Sequence, residues 1–170
     1  MTPTNDSGGR LYIAENYLLI GWQEWCSLPE LKIPAIKAKI DTGARTSAIH
    51  AFDIQPFVKH DKNYVRFSVH PLQHNDNLVV TCSVLVADQR LIMSSSGHKE
   101  LRYVIKTPIM LGTKVWEIEV TLSNREPLLF RMLLGREALQ NGIIIEPHKM
   151  LCQGHLATKE LKKIYSKPKE

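Results

Sequence analysis

Cysteine is scarce in this chain of 170 residues: Cys26, Cys82 and Cys152 are an odd three, far apart in sequence. They offer no disulfide framework, which fits a reducing compartment, and they are expected as buried thiols. No apolar run reaches the ~20 residues of a membrane-spanning helix. Met1 to Arg10 is polar, without a basic-then-apolar secretory segment, so a cytoplasmic protein with no membrane partner is expected. Three catalytic signatures are also missing. There is no G-x-x-x-x-G-K-[ST] to cradle ATP phosphates, no H-E-x-x-H to hold zinc and no G-x-S-x-G to present a nucleophilic serine. Repeats and low-complexity segments are absent as well.

What is present suits one core. Hydrophobic residues make up 44% of the chain, and the length is sufficient for one sizeable domain and short for two. Residues 1–15 read as a flexible N-terminus, 16–156 as the domain and 157–170 as a basic tail. The domain is mostly strands. Tyr17 to Trp25, Leu31 to Ile40, Tyr64 to His70, Leu78 to Ala87, Arg102 to Met110 and Val115 to Leu122 are alternating or rich in β-branched residues. Helix is expected only over Gly135 to Gln140, closed by Asn141-Gly142, and in the tail. Trp22, Trp25 and Trp116 sit in strand-like runs and read as core, with a peptide groove as the other use for such surfaces.

The formal charge of +5 is concentrated at one end, because Thr158 to Glu170 carries five Lys and two Glu and so supplies +3. Those lysines suit phosphate contacts with RNA, and equally a solvated helix docked through Leu161, Ile164 and Tyr165. The second reading is preferred and nucleic acid is not expected as a partner, since no aromatic-basic interleaving marks a base-stacking surface. His148, Cys152 and His155 have a spacing that could bring three metal ligands together. Gly154 weakens a helix there and no second cluster stands out, so solvated histidines and an inert thiol are preferred, and no metal or cofactor is expected.

Asp41-Thr42-Gly43-Ala44 follows the apolar run Ile36 to Ile40. Asp, Thr and Gly are ordinary turn residues, so one reading is a strand ending in a turn. The other is a catalytic carboxylate held by the N–H groups of a tight loop. Far downstream, Leu133-Leu134-Gly135-Arg136 passes from an apolar strand through a glycine that lets two backbone segments cross closely. The pair of motifs, in this order, resembles the retropepsins, single-domain aspartic proteases that act as homodimers. Lys37 to Ala48, Ser94 to Gly97, Glu117 to Arg125 and Arg131 to Leu139 further resemble the bacterial RimB-type family. That family is labelled "ATP-dependent zinc protease" and is associated with a RimK-type ligase that adds glutamate to a ribosomal protein.

The resemblance implies a retropepsin-like acid-protease barrel, with a short helix after the Leu-Leu-Gly-Arg segment and a tail helix. Asp41 would be the catalytic carboxylate, with Thr42, Gly43, Ala44 and Arg45 as its loop and Leu133, Leu134, Gly135 and Arg136 as support behind it. One such loop per chain implies a homodimer that pairs two Asp41 residues, acting on a peptide or protein substrate. Arg45 departs from the retropepsin pattern, which has an acid there. Two cations, Arg45 and Arg136, then need a compensating acid, for which Glu137 is available. A cation beside the dyad also favours acidic ligands, so the alternative is a protease-shaped module that regulates a RimK-type ligase without cutting. Ser94 to His98 reads as a hairpin tip; Ser95, Ser96 and Gly97 would be a flap over bound peptide, and a Ser–His nucleophile is the least favoured use.

Overall fold

The computed structural model describes residues 4–5, 11–12, 16–94, 96–124, 129–139 and 142–167, and the chain in it is mainly β with one α-helix. Strands β1 (Thr4–Asn5) and β2 (Leu11–Tyr12) pair with each other. The body is formed by β3 (Leu18–Ile20), β4 (Gln23–Leu28), β5 (Ile33–Asp41), β6 (Ser47–His50), β7 (Phe52–Lys59), β8 (Lys62–Val69), β9 (Val80–Leu85), β10 (Asp88–Met93), β11 (Lys99–Leu111), β12 (Lys114–Ser123), β13 (Met132–Gly135) and β14 (Ile143–Ile145), followed by helix α1 (Thr158–Ser166).

Strands β11, β12, β6, β13, β5 and β4 lie side by side in that order, and a Met110–Ser27 pairing between β11 and β4 closes them into a ring. Closure removes the free edges that an open sheet would expose. β10 extends β11 outside the ring, while β7, β8 and β9 form a separate antiparallel sheet. Alternation explains the packing: Ile36, Ala38 and Ile40 of β5 point inward, and Lys37 and Lys39 are more exposed. Val65, Phe67 and Val69 of β8 join Ile33, Ile105, Ile109 and Leu122 in one buried cluster, so the second sheet closes the core. Thr121 lies on the polar face of β12 yet is buried, because its hydroxyl donates to the Ser47 carbonyl at 3.0 Å.

Several expectations are corrected. The run Tyr17 to Trp25 is two strands, broken at Gly21-Trp22, and Leu31 to Ile40 starts with a single 3-10 turn (Pro29–Leu31) and Lys32 at φ +57 before β5 begins. Among the described residues of the helix expected over Gly135 to Gln140 there is no regular helix; Ala138 and Leu139 instead close two i to i+3 turns. The N–H groups of Arg136 and Glu137, which the first turn of a helix would leave without an intrahelical partner, donate to the carbonyls of Ala44 and Arg45, and the Ala138 carbonyl accepts from the Trp116 indole, so tertiary contacts anchor the segment as turns. Gln140 and Asn141 lie outside the described residues.

Trp116 packs against the core, but Trp22 is 37% exposed and meets Phe130 edge to face. Cys26 and Cys82 are buried thiols, whereas Cys152 is half-buried.

The tail helix docks through Tyr165 of the expected stripe, with Leu161 and Ile164 half-buried. Tyr165 reaches β5, where its hydroxyl donates to the Ala35 carbonyl and accepts from the Ala35 N–H. Those groups lie where the β4–β5 register shifts, so the phenol fills a gap in the ladder. Among the described residues no helix is long and apolar enough to cross a membrane.

Candidate active site

Asp41 ends β5, half-buried, and its Oδ1 accepts the N–H groups of Gly43 at 3.0 Å and Ala44 at 3.2 Å. The loop therefore wraps its own carboxylate, while Thr42 and Gly43 stay exposed at its tip. A Cβ on Gly43 would stand 3.2 Å from that same oxygen, so a larger residue would crowd the carboxylate.

Behind the loop, β13 inserts between β5, to which it runs parallel with Gly135 level with Asp41, and β6, to which it runs antiparallel. Leu134 is fully buried there. The Gly135 N–H donates to the buried Ser47 hydroxyl at 3.1 Å. A Cβ on Gly135 would lie 2.7 Å from the Thr46 carbonyl carbon and 2.9 Å from the Ala44 oxygen, both backbone atoms. Close crossing is thus the reason for glycine.

From the following turn, the Arg136 N–H reaches the Ala44 carbonyl at 2.8 Å and its Nη1 approaches the Gly43 carbonyl at 3.4 Å. The two motifs that are far apart in sequence form one interlocked unit. Arg45 pairs with Glu137, Nε to Oε1 2.7 Å, so the acid needed beside the two cations is in place. The hydrogen bond from Arg45 holds the Glu137 carboxyl below the usual range, with the Arg45 charge adding to it.

A cleft of about 690 Å³ opens beside this unit, lined by Ala44, Arg45 and Glu137 on one side and by Arg90 to Met93 of β10 on the other. β10 leads into the tip expected as a flap. The tip is a closed turn: the Ser94 N–H donates to His98 O at 2.8 Å, the hydroxyls of Ser94 and Ser96 lie 2.8 Å apart, and Gly97 sits at φ +80. Ser95 lies outside the described residues. Arg90 is held by Glu119 at 2.6 Å and Asp88 at 2.8 Å, so this cleft wall carries paired charge.

Sequence reasoning missed Ser47, Thr121 and Arg90; a polar residue opening the strand after Asp-Thr-Gly-Ala-Arg-Thr was the available signal for Ser47. Among the described residues no three His, Cys, Asp or Glu side chains converge as a metal site.

The sequence matches the RimB-like family, described as the retropepsin-like aspartic endopeptidase RimB, over residues 19–155. The chain belongs to the RimB-like family. Relatives of this RimB-like chain include a protein of Desulfotalea psychrophila, 51% identical over 149 residues, covering 88% of this chain and 32% of that protein. Another, from Shewanella pealeana, is 44% identical over 153 residues, covering 90% of this chain and 33% of that protein. Both are named probable alpha-L-glutamate ligase. The RimB-like chain thus spans about a third of the length of these curated relatives. A solved structure from Legionella pneumophila, of unknown function (DUF785), matches with a TM-score of 0.66 and 27% identity over 82% of this chain and 99% of that one.

Proposed function

We propose that this RimB-like protein is an aspartic endopeptidase whose dyad forms from two Asp41 carboxylates across a homodimer axis. The observation that carries the proposal is the Asp41 loop itself: a carboxylate fixed by loop N–H groups, locked from behind by Gly135 and Arg136, with its tip exposed. A two-fold axis places identical loops together, so the second carboxylate needs no second motif. Two carboxyls sharing a proton separate into a base and an acid. The ionised Asp41 takes a proton from water as its oxygen attacks the amide carbon, and the protonated one gives its proton to the carbonyl oxygen. Collapse then breaks the C–N bond as a proton passes to the leaving nitrogen.

The names of the relatives support a link to a glutamate ligase, and the partner we propose is a RimK-type ligase or a ribosomal protein, as the family resemblance implies. Three cysteines outside any disulfide support a cytoplasmic setting. The non-cutting alternative rests on Arg45, and its pairing with Glu137 weighs toward the peptidase, since the cation beside the loop is neutralised locally. Incubation of purified protein with a synthetic peptide bearing an oligoglutamate C-terminal extension, followed by mass spectrometry, is expected to give new peptide termini that vanish in Asp41→Asn. Products that persist in Asp41→Asn defeat the mechanism.

A further inference from the structure

Outside the Asp41 loop, the most unusual group in the molecule is Glu24. Its residue is completely buried on β4, and no described Lys, Arg or His forms a salt bridge with it. Three backbone N–H groups satisfy the carboxylate instead: Gly21 and Cys152 donate to Oε2, both at 2.9 Å, and Gln153 donates to Oε1 at 2.8 Å. A buried carboxylate is costly unless its lone pairs are filled, so these three donors and Glu24 hold one another.

The donors come from two places. Gly21 is the break between β3 and β4; Cys152 and Gln153 belong to a strap, residues 146–153, laid along that break. The strap is stitched down by Trp22 N–H to Lys149 O at 2.8 Å, Leu151 N–H to Gln23 O at 2.9 Å, Glu146 N–H to Ile20 O at 2.9 Å and the Gln153 amide to Leu19 O at 2.6 Å. Contact is so close that a Cβ on Gly21 would stand 2.2 Å from the Lys149 oxygen. On its other side the same break supports β5: the Trp22 carbonyl accepts the N–H of Ile40, the residue before Asp41, at 2.8 Å. The Asp41 strand is therefore flanked by β13 on one edge and by the Glu24-held break on the other.

We infer that Glu24 is a positioning residue for Asp41: by fixing the strap against Gly21-Trp22 it sets the end of β5 from which the Asp41 loop springs. The inference rests on the reading of Asp41 as the catalytic carboxylate, but the placement it describes can be measured without turnover. Glutamine at this position keeps the shape of the side chain but turns an NH₂ toward backbone donors, so at least one N–H loses its acceptor. Aspartate keeps the charge but is one methylene shorter, so it restores part of the cradle.

Amide hydrogen exchange by NMR on the full chain tests this. In Glu24→Gln, the Gly21, Cys152, Gln153 and Ile40 amides are expected to exchange at least about tenfold faster relative to Leu134, with Glu24→Asp intermediate. Where turnover is measurable, kcat falls at least about tenfold while KM stays within about twofold. Faster exchange at Gly21, Cys152 and Gln153 with Ile40 unmoved overturns the inference, because the strap would then be held without reaching the Asp41 strand. If Glu24→Gln does not fold, the native protein decides. The four amides are expected to open as one unit with similar protection, and an Ile40 amide protected about a hundredfold more than the strap amides refutes the coupling. Absence of any Asp41-dependent turnover would remove the peptidase reading while leaving the exchange result standing.

Discussion

Gly135→Ala is the sharpest structural test of the interlocked site. The added methyl would have to occupy a point 2.7 Å from the Thr46 carbonyl carbon and 2.9 Å from both the Ala44 and Thr46 carbonyl oxygens. All three are backbone atoms of the loop that carries Asp41, so no side chain can swing away. Overpacking costs about 1–3 kcal/mol where a core must shift. Here the shift also strains the Arg136 and Glu137 N–H bonds to Ala44 and Arg45, each worth about 1 kcal/mol. The combined loss is about 3–5 kcal/mol, a large share of the ~5–15 kcal/mol of a typical domain.

Urea unfolding at fixed protein concentration is the assay. With a slope near ~2 kcal/mol per molar, the midpoint is expected to drop by about 1.5–2.5 M at unchanged slope. Gly97→Ala is the control. It has open space around it but φ +80, so its cost is backbone strain alone, about 1–2 kcal/mol. A loss below about 1 kcal/mol for Gly135→Ala refutes the close-crossing argument.

Other expectations follow from the same contacts. Burial pushes the Tyr165 phenol well above its usual range, outweighing the Ala35 hydrogen bond; the folded pKa lies above the unfolded one, so this stabilisation is complete below about pH 10 and is lost as pH rises through the folded value. Tyr165→Phe should cost about 1–3 kcal/mol at neutral pH by leaving both Ala35 backbone groups without the phenol, and should flatten the alkaline loss in a pH series of denaturant melts. Glu137 has the opposite sign: its depressed pKa gives stabilisation present above the unfolded carboxyl value and lost as pH falls through the folded one. Arg45→Ala should return the Glu137 titration, followed by NMR, toward the ordinary range with little change in neutral-pH stability, because the pair is exposed. Cys26 and Cys82 are buried and Cys152 is half-buried, so native-state alkylation should label Cys152 first and spare the other two, although burial and the Glu24 charge push both the Cys26 and Cys152 thiols up; early loss of Cys26 would contradict its packing.

The readable part of this protein was local. Asp41-Thr42-Gly43-Ala44 and Leu133 to Arg136 are short, and each has a physical signature, a turn after an apolar strand and a glycine where backbones cross. Alternation likewise marked β5, β8 and β12, since one face of each is buried. Long-range partnership was harder to read. Glu24 sits inside an apolar run 128 positions before Cys152, and no periodicity announces that its carboxylate organises a distant strap. The turns that stand where a helix was expected over Gly135 to Gln140 were hidden for the same reason: Arg136 and Glu137 donate to Ala44 and Arg45, acceptors that only the tertiary fold supplies. β7 was illegible because Asp53 at φ +50 and Pro56 interrupt its pattern and most of it is exposed. Glu137 was an exception, inferable from charge because two arginines demanded an acid.

Subunit mixing tests the central claim most directly. Wild-type protein is combined with Asp41→Asn at constant total concentration, the subunits are allowed to exchange, and cleavage of the oligoglutamate-bearing peptide is followed. If the dyad needs one Asp41 from each protomer, activity follows the square of the wild-type fraction, so an equal mixture retains about a quarter of the undiluted rate. A linear decline, with about half remaining, would mean that each chain acts alone and would contradict the account.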